Sequence, residues 1–269
     1  MARISRHERK QRKKEIVWGA VALITALGIL ASAMTYVFLN RDDVIGAKTL
    51  CPAGGPRGHY VLLVDTTDRM RFAQKLAFDV IFRDIIEKRM PEGYLLSIFV
   101  MGEDVRANAR PLIEICNPGR GADKSEWTAN LERLRRRYEE RFRKVLLDQA
   151  ATLVDSKPAK ISPILETLQM VGINAFRRHD VQGERRLIMV SDMLHHTPRF
   201  SMYRGIVDYE TFAASGYARK VHAELTGVKV EIHYLINTPE LQTRRNLAFW
   251  ENHFNSTGAQ IVAVRPMEG

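Results

Sequence analysis

With 269 residues, 45% of them hydrophobic and 27% charged, the chain has room for one sizeable globular domain plus an appendage. The counts of 17 Gly and 10 Pro exclude a collagen-like or linker-dominated chain, and two cysteines exclude a disulfide scaffold or a Cys-rich zinc site. A net charge of +10 invites a nucleic-acid reading. Half of that excess, however, lies in residues 1–15, where Arg3, Arg6, Arg9, Lys10, Arg12, Lys13 and Lys14 face only Glu8 and Glu15.

Residues 1–16 therefore read as a basic tail, and Val17 to Leu39 follows without a charged side chain. As a helix, 23 residues span about 34 Å, enough for a hydrocarbon core of roughly 30 Å. Trp18 and Tyr36 stand near its ends, where amphipathic aromatics favour the membrane interface. The basic tail on one flank, against Arg41, Asp42 and Asp43 on the other, places the N-terminus in the cytoplasm by the positive-inside rule. Residues 40–269 are then expected outside. Ala31-Ser32-Ala33 matches a signal-peptidase site, so a cleaved signal peptide is the alternative. The apolar run continues past it through Met34 to Leu39 and favours an uncleaved anchor.

Residues 40–57 read as a linker and 58–269 as one α/β domain. Short apolar runs alternate there with amphipathic helices, the pattern of an open, doubly wound, mostly parallel sheet. Expected strands are His59 to Asp65, Tyr94 to Met101, Ala109 to Cys116, Arg186 to Ser191, Val228 to Ile236 and Gln260 to Val264. The second and third are too close for a crossover helix and should run antiparallel, at or beside the sheet edge. Expected helices are Met70 to Lys88, with Phe72, Leu76, Val80, Ile81 and Ile85 on its inner face, then Trp127 to Leu153, Ser162 to Val171 and Leu241 to Phe254. Cys51 precedes the first strand and Cys116 closes the third. Thiols outside the cytoplasm tend to oxidise, so the two are expected to pair; two separate small core residues are the alternative.

In such a sheet the ligand site lies beyond the carboxyl ends of the strands. Three segments converge there: Asp65-Thr66-Thr67-Asp68-Arg69, Lys160-Ile161-Ser162-Pro163 and Ser191-Asp192-Met193. Their carboxylates and hydroxyls are hard oxygen donors suited to magnesium.

With these segments the chain resembles a von Willebrand factor A (VWA) domain over residues 58–269. That family's metal-ion-dependent adhesion site reads DxSxS after the first strand, with a Thr in a mid-chain loop and an Asp after the fourth strand. The resemblance maps Asp65 onto the first Asp, Thr67 onto the first Ser, Ser162 onto the loop Thr and Asp192 onto the late Asp. Arg69 stands where the motif has its second Ser, so the site is degenerate. Two arrangements follow. Either the Arg69 guanidinium pairs with Asp65 or Asp192 and competes with the ion, or it points away and leaves a reduced set of Asp65, Thr67, Ser162 and Asp192. The resemblance implies a non-enzymatic module that grips a protein partner at this rim. Asp68, Arg69, Met193, His195 and His196 are its candidate contacts, joined by Arg199 and Tyr203.

Other readings are weaker. A haloacid-dehalogenase phosphatase would also place an Asp after the first strand, but it needs a second Asp at position 67, which is Thr. His179, His195, His196 and His222 lack a zinc-ligand spacing. The run Arg133, Arg135, Arg136, Arg137, Arg141, Arg143 and Lys144 is interleaved with glutamates over a Leu134–Tyr138–Phe142 stripe, which reads as a solvated helix face. The expectation is a single-pass protein of a bacterial inner membrane with a periplasmic VWA-like domain and a protein partner. Neither nucleic acid nor a small-molecule substrate is expected. A structural subunit of an envelope-spanning assembly is the second functional class.

Overall fold

The computed structural model describes residues 6–39, 45–46, 48–121, 130–154, 159–179, 181–205 and 208–268. The chain divides into two compact units, 1–44 and 45–269. In the first, α1 (Arg6–Leu39) is one continuous helix. Its Lys14–Tyr36 stretch is long and apolar enough to cross a membrane, and none of it is buried. A helix that is apolar all round and unburied suits a hydrocarbon solvent, where its backbone groups are satisfied internally.

In the second unit the apolar runs form six strands: β1 (His59–Asp65), β2 (Leu95–Met101), β3 (Ile113–Cys116), β4 (Arg185–Ser191), β5 (Val228–Leu235) and β6 (Gln260–Met267). The sheet order is β3-β2-β1-β4-β5-β6. Every pairing is parallel except β2 with β3, so the antiparallel strand lies on the edge. β3 is shorter than expected. The Asp104 carboxylate accepts from the amides of Arg106 and Ala107, winding that stretch into a turn, and Pro111 has no amide hydrogen to offer a ladder.

Alternation along β1 sends its residues to two cores. Val61 and Leu63 pack with α5 (Ile164–Val171) and α8 (Arg244–Ser256), whereas Tyr60, Leu62 and Val64 pack with α2 (Phe72–Asp84) and the segment 131–153. That last segment comprises α3 (Leu131–Arg137), a π-helical stretch Tyr138–Arg143 and α4 (Lys144–Leu153). The Asn130 side chain caps it by accepting from the Arg133 amide, and the part expected at Trp127 lies outside the described residues. Tyr138 and Phe142 are buried and Leu134 is half-buried, while Arg136, Arg143 and Lys144 pair with Glu140, Glu87 and Asp148. The arginine-rich face is thus a solvated, salt-bridged one. Two five-residue helices, α6 (Tyr209–Ala213) and α7 (Gly216–Lys220), were not anticipated; Asp208 and Ser215 cap them.

The inward face of α2 corrects the sequence reading. Ile85, just past α2, is buried as expected and Ile81 is half-buried, but Phe72, Leu76 and Val80 are 78%, 55% and 66% exposed, and Phe78 and Phe82 are buried in their place. This helix carries two apolar stripes, and periodicity alone does not tell which one meets the sheet. A disulfide joins Cys51 to Cys116 across 65 residues. The Cys116 amide also donates to the Thr49 carbonyl and the Arg57 amide to the Gly93 carbonyl, so residues 48–57 are stitched to the sheet edge, and Ile45 bridges to Pro52.

Candidate functional site

Parallel strands β1 and β4 are neighbours, so their carboxyl ends bring Asp65 and Asp192 together at one rim. Both carboxylates are buried, each at 1% exposure. Asp65 Oδ1 accepts from the Thr67 amide (2.9 Å) and hydroxyl (2.6 Å), and its Oδ2 accepts from the Ser191 hydroxyl (2.7 Å). Asp192 Oδ1 accepts from the Leu194 amide at 2.9 Å, but buried Oδ2 has no hydrogen-bond partner among the described residues. The antiparallel bridge Ser162–His196 holds the segment entering α5, and the buried Ser162 hydroxyl likewise has none among them.

Burial dominates the electrostatics. It pushes the Asp65 carboxyl up to about 6, against the lowering effect of its hydroxyl and amide donors. Asp192 is pushed well above the ordinary carboxylate range by burial and by the charges of Asp65 and Asp68. The same three carboxylates, after burial, raise the neighbouring Tyr203 hydroxyl. Burying carboxylates close to one another costs free energy whenever they ionise together.

Arg69 does not neutralise them. Its side chain is exposed, and among the described residues it forms no ion pair with Asp65 or Asp192. Of the two arrangements open from the sequence, this is the reduced set: Asp65, Thr67, Ser162 and Asp192, with half-buried Asp68 alongside. Among the described residues no three His, Cys, Asp or Glu side chains converge well enough to hold a metal by themselves. A cation here would need the hydroxyls of Thr67 and Ser162 as well. The donor set suits magnesium: all hard oxygens, two of them buried and unsatisfied.

Two expected partner contacts are misplaced. Met193 is fully buried with φ 56°, and its carbonyl accepts from the Trp250 indole N–H (2.8 Å) and the Asn246 side chain (3.3 Å). That pinned left-handed residue turns the chain so that Asp192 faces the rim. His195 is also fully buried, packed on Phe200 and Tyr217, and burial lowers its pKa to about 3. Both residues support the loop and neither faces a partner. His196 is half-buried, with Nδ1 2.7 Å from the Ser201 hydroxyl. His179 contacts Glu114 at 3.0 Å and His222 is exposed, so the histidines do not assemble.

Ser191, in one of the three converging segments, holds Asp65. Two further supports carry no sequence signal: Gln242 donates to the Asp192 carbonyl at 3.0 Å, and Asn246 braces Met193.

The sheet order, with its one antiparallel strand at the edge and its acids at the carboxyl ends of β1 and β4, is what the resemblance implies. The fold is VWA-like. No protein-family model and no curated protein matches the chain. Among solved structures it is similar to the SpRpn10 VWA domain, at 9% identity over 78% of this chain and 88% of that one, with a TM-score of 0.38. An aerotolerance-related membrane protein from Bacteroides fragilis matches at 10% identity over 77% and 90% of the two chains, TM-score 0.34. Proximal thread matrix protein 1 from the mussel byssus matches at 11% identity and TM-score 0.39 over 80% of this chain, which spans 42% of that protein.

Proposed function

We propose that this protein is a non-enzymatic interaction module held in the bacterial inner membrane by α1. Its N-terminus lies in the cytoplasm and its VWA-like domain in the periplasm, where the domain grips a protein partner at the rim around Asp65, Ser162 and Asp192. The observation that carries this reading is the pair of buried oxygens without a hydrogen-bond partner among the described residues, Asp192 Oδ2 and Ser162 Oγ, on loops tied together by the Ser162–His196 bridge and by the Ala159 amide donating to the Thr67 carbonyl. Oxygens left unsatisfied in a buried pocket suit a cation, and Asp65, Thr67, Ser162 and Asp192 are the residues that would hold magnesium. When bound, it would offer a Lewis-acidic position to a partner's carboxylate. The chain's own residues fix the geometry: Ser191 and Thr67 orient Asp65, and the pinned Met193 turn presents Asp192.

Orientation is supported by the basic tail and by the Cys51–Cys116 disulfide, which suits an oxidising compartment. The test is crosslinking in intact cells with wild type and Asp65→Ala, Asp192→Ala and Arg69→Ala. Loss of the crosslinked partner in the two Asp variants supports the reading. Undiminished crosslinking by all three overturns it in favour of an assembly subunit held by its helices. The exposed Phe72–Leu76–Val80 stripe favours that second reading. Turnover of a generic aryl phosphate, lost in Asp65→Ala, would overturn the non-enzymatic assignment.

A further inference from the structure

Beside the carboxylates, and outside the donor set, the rim holds a cavity of about 390 Å³, inside the range of roughly 300–1,000 Å³ that ligand pockets occupy. Its apolar wall is Met202, Leu241 and Phe249, and its mouth carries Arg244 and Arg245 against Glu240. Met202 and Phe249 are buried, while both arginines are exposed and unpaired among the described residues.

The cavity and the candidate site share a loop. Asn246 on the cavity wall donates to the Met193 carbonyl, next to Asp192, and the Met202 amide donates to the His195 carbonyl (2.9 Å). Tyr203, which follows Met202, stands in the field of Asp65, Asp68 and Asp192. A segment crossing Tyr203 therefore meets the acids on one side and the cavity on the other.

We propose that this cavity takes a large apolar side chain of the same partner segment that meets the Asp65–Asp192 site, with Arg244 and Arg245 selecting acidic residues that flank it. The inference rests on the reading of that site as the partner contact. An apolar pocket excludes water from the side chain that fills it, and unpaired guanidiniums at its mouth attract carboxylates and repel basic segments. A second copy's rim would bring the same exposed arginines, Arg69, Arg244 and Arg245, face to face. The occupant this surface fits is an acidic peptide segment with one bulky apolar residue.

The experiment uses the full chain in lipid nanodiscs, labelled with carbon-13 at the methionine methyls, and two acetylated hexapeptides. One has a leucine flanked by two aspartates; the other has glycine in place of the leucine. The leucine peptide is expected to shift the Met202 methyl resonance and to bind at least ten-fold more tightly than the glycine peptide. Leu241→Asp and the double variant Arg244→Glu/Arg245→Glu should each weaken it at least five-fold while magnesium titration stays unchanged. Asp192→Asn should weaken both peptides. If the two peptides bind equally and Met202 does not move, while Asp192→Asn still weakens both, the cavity assignment falls and the partner site stands. If Met202 shifts but Asp192→Asn changes neither affinity, the partner-site reading falls and the shared segment with it. Failure of both peptides to bind at millimolar concentration overturns the proposal.

Discussion

Two buried carboxylates in this domain have the same burial and opposite fates. Glu231 on β5 and Asp192 after β4 are each 1% exposed. Glu231 is hydrogen-bonded by both terminal nitrogens of Arg89, lies 3.4 Å from guanidinium nitrogens of Arg186 and Arg265, and has His233 Nε2 at 3.0 Å. Burial alone would raise its pKa, yet His233 and Arg89 hold it well below the ordinary range. Asp192 accepts from the Leu194 amide, has acids for neighbours and, among the described residues, no ion pair of its own, and it is pushed well above that range. Burial of the carboxylate is common to both, so the partners decide. A closed ion network is structural, whereas a buried carboxylate pushed up by its neighbours marks a candidate site.

The largest expected effect tests the closed network. Arg89→Met strips Glu231 of its bidentate partner and leaves a buried charge partly uncompensated, at a cost of about 3–5 kcal/mol. Denaturant unfolding at neutral pH measures it. A loss below 1 kcal/mol would mean that Arg186 and Arg265 suffice and that Arg89 is dispensable.

Next comes the open site. Asp65 and Asp192 have raised pKa values, so their contribution to stability is fully present below the unfolded value near 3.8 and is lost as pH rises, for Asp65 through about 6 and for Asp192 through its own raised value. Glu231 has the opposite sign: its contribution is present above its unfolded value and is lost as pH falls through its folded one. Magnesium should therefore stabilise the domain at pH 7.5, by about 2.7 kcal/mol at a hundred times its Kd. It should add little at pH 5, where the acids hold protons. Equal magnesium shifts of the melting temperature at both pH values would argue against Asp65 and Asp192 as the ligands.

A paired substitution without added metal gives a smaller, sign-based test. Asp192→Asn removes a charge that burial penalises and should raise the melting temperature at pH 7.5. Glu231→Gln removes a charge that its neighbours favour and should lower it. Each change is on the order of 1.4 kcal/mol per pKa unit of displacement. The same sign for both would erase the contrast between the two regions.

How much of this could be read in the sequence follows from range. The strand HYVLLVD and its closing Asp65 are local patterns, as are Ser191-Asp192 and the uncharged run Val17 to Leu39, and all were legible. The Glu231 network was not, because Arg89 lies 142 residues away and only the fold brings it near. On α2, apolar residues at Phe72, Leu76 and Val80 compete with those at Phe78 and Phe82, and tertiary contact alone chose the second set. The short helices α6 and α7, five residues each, are too brief for a 3.6-residue period to register. At the rim the residue types were readable, but their burial was not. Met193 and His195 looked like exposed loop residues until the aromatic packing around Phe200 and Trp250 was seen.

The smallest effect concerns Arg69, which stands where the motif of the family the chain resembles has a serine. Because its side chain is exposed and free of ion pairs among the described residues, replacing it should leave stability within about 0.5 kcal/mol. Its influence on a cation is electrostatic: a positive charge close to Asp65 and Asp68 in the chain weakens divalent binding, though solvent screens most of it. Arg69→Ser removes that charge and restores a hydroxyl where the motif has one. Magnesium affinity should rise two- to five-fold, about 0.4–1 kcal/mol, with Arg69→Ala capturing the electrostatic part alone. If calorimetry finds serine and alanine equal, the gain is charge removal and position 69 supplies no ligand. If neither variant differs from wild type, Arg69 is too well solvated to act on the carboxylates. Its role would then lie with the partner, where in-cell crosslinking of Arg69→Ala would still register its loss.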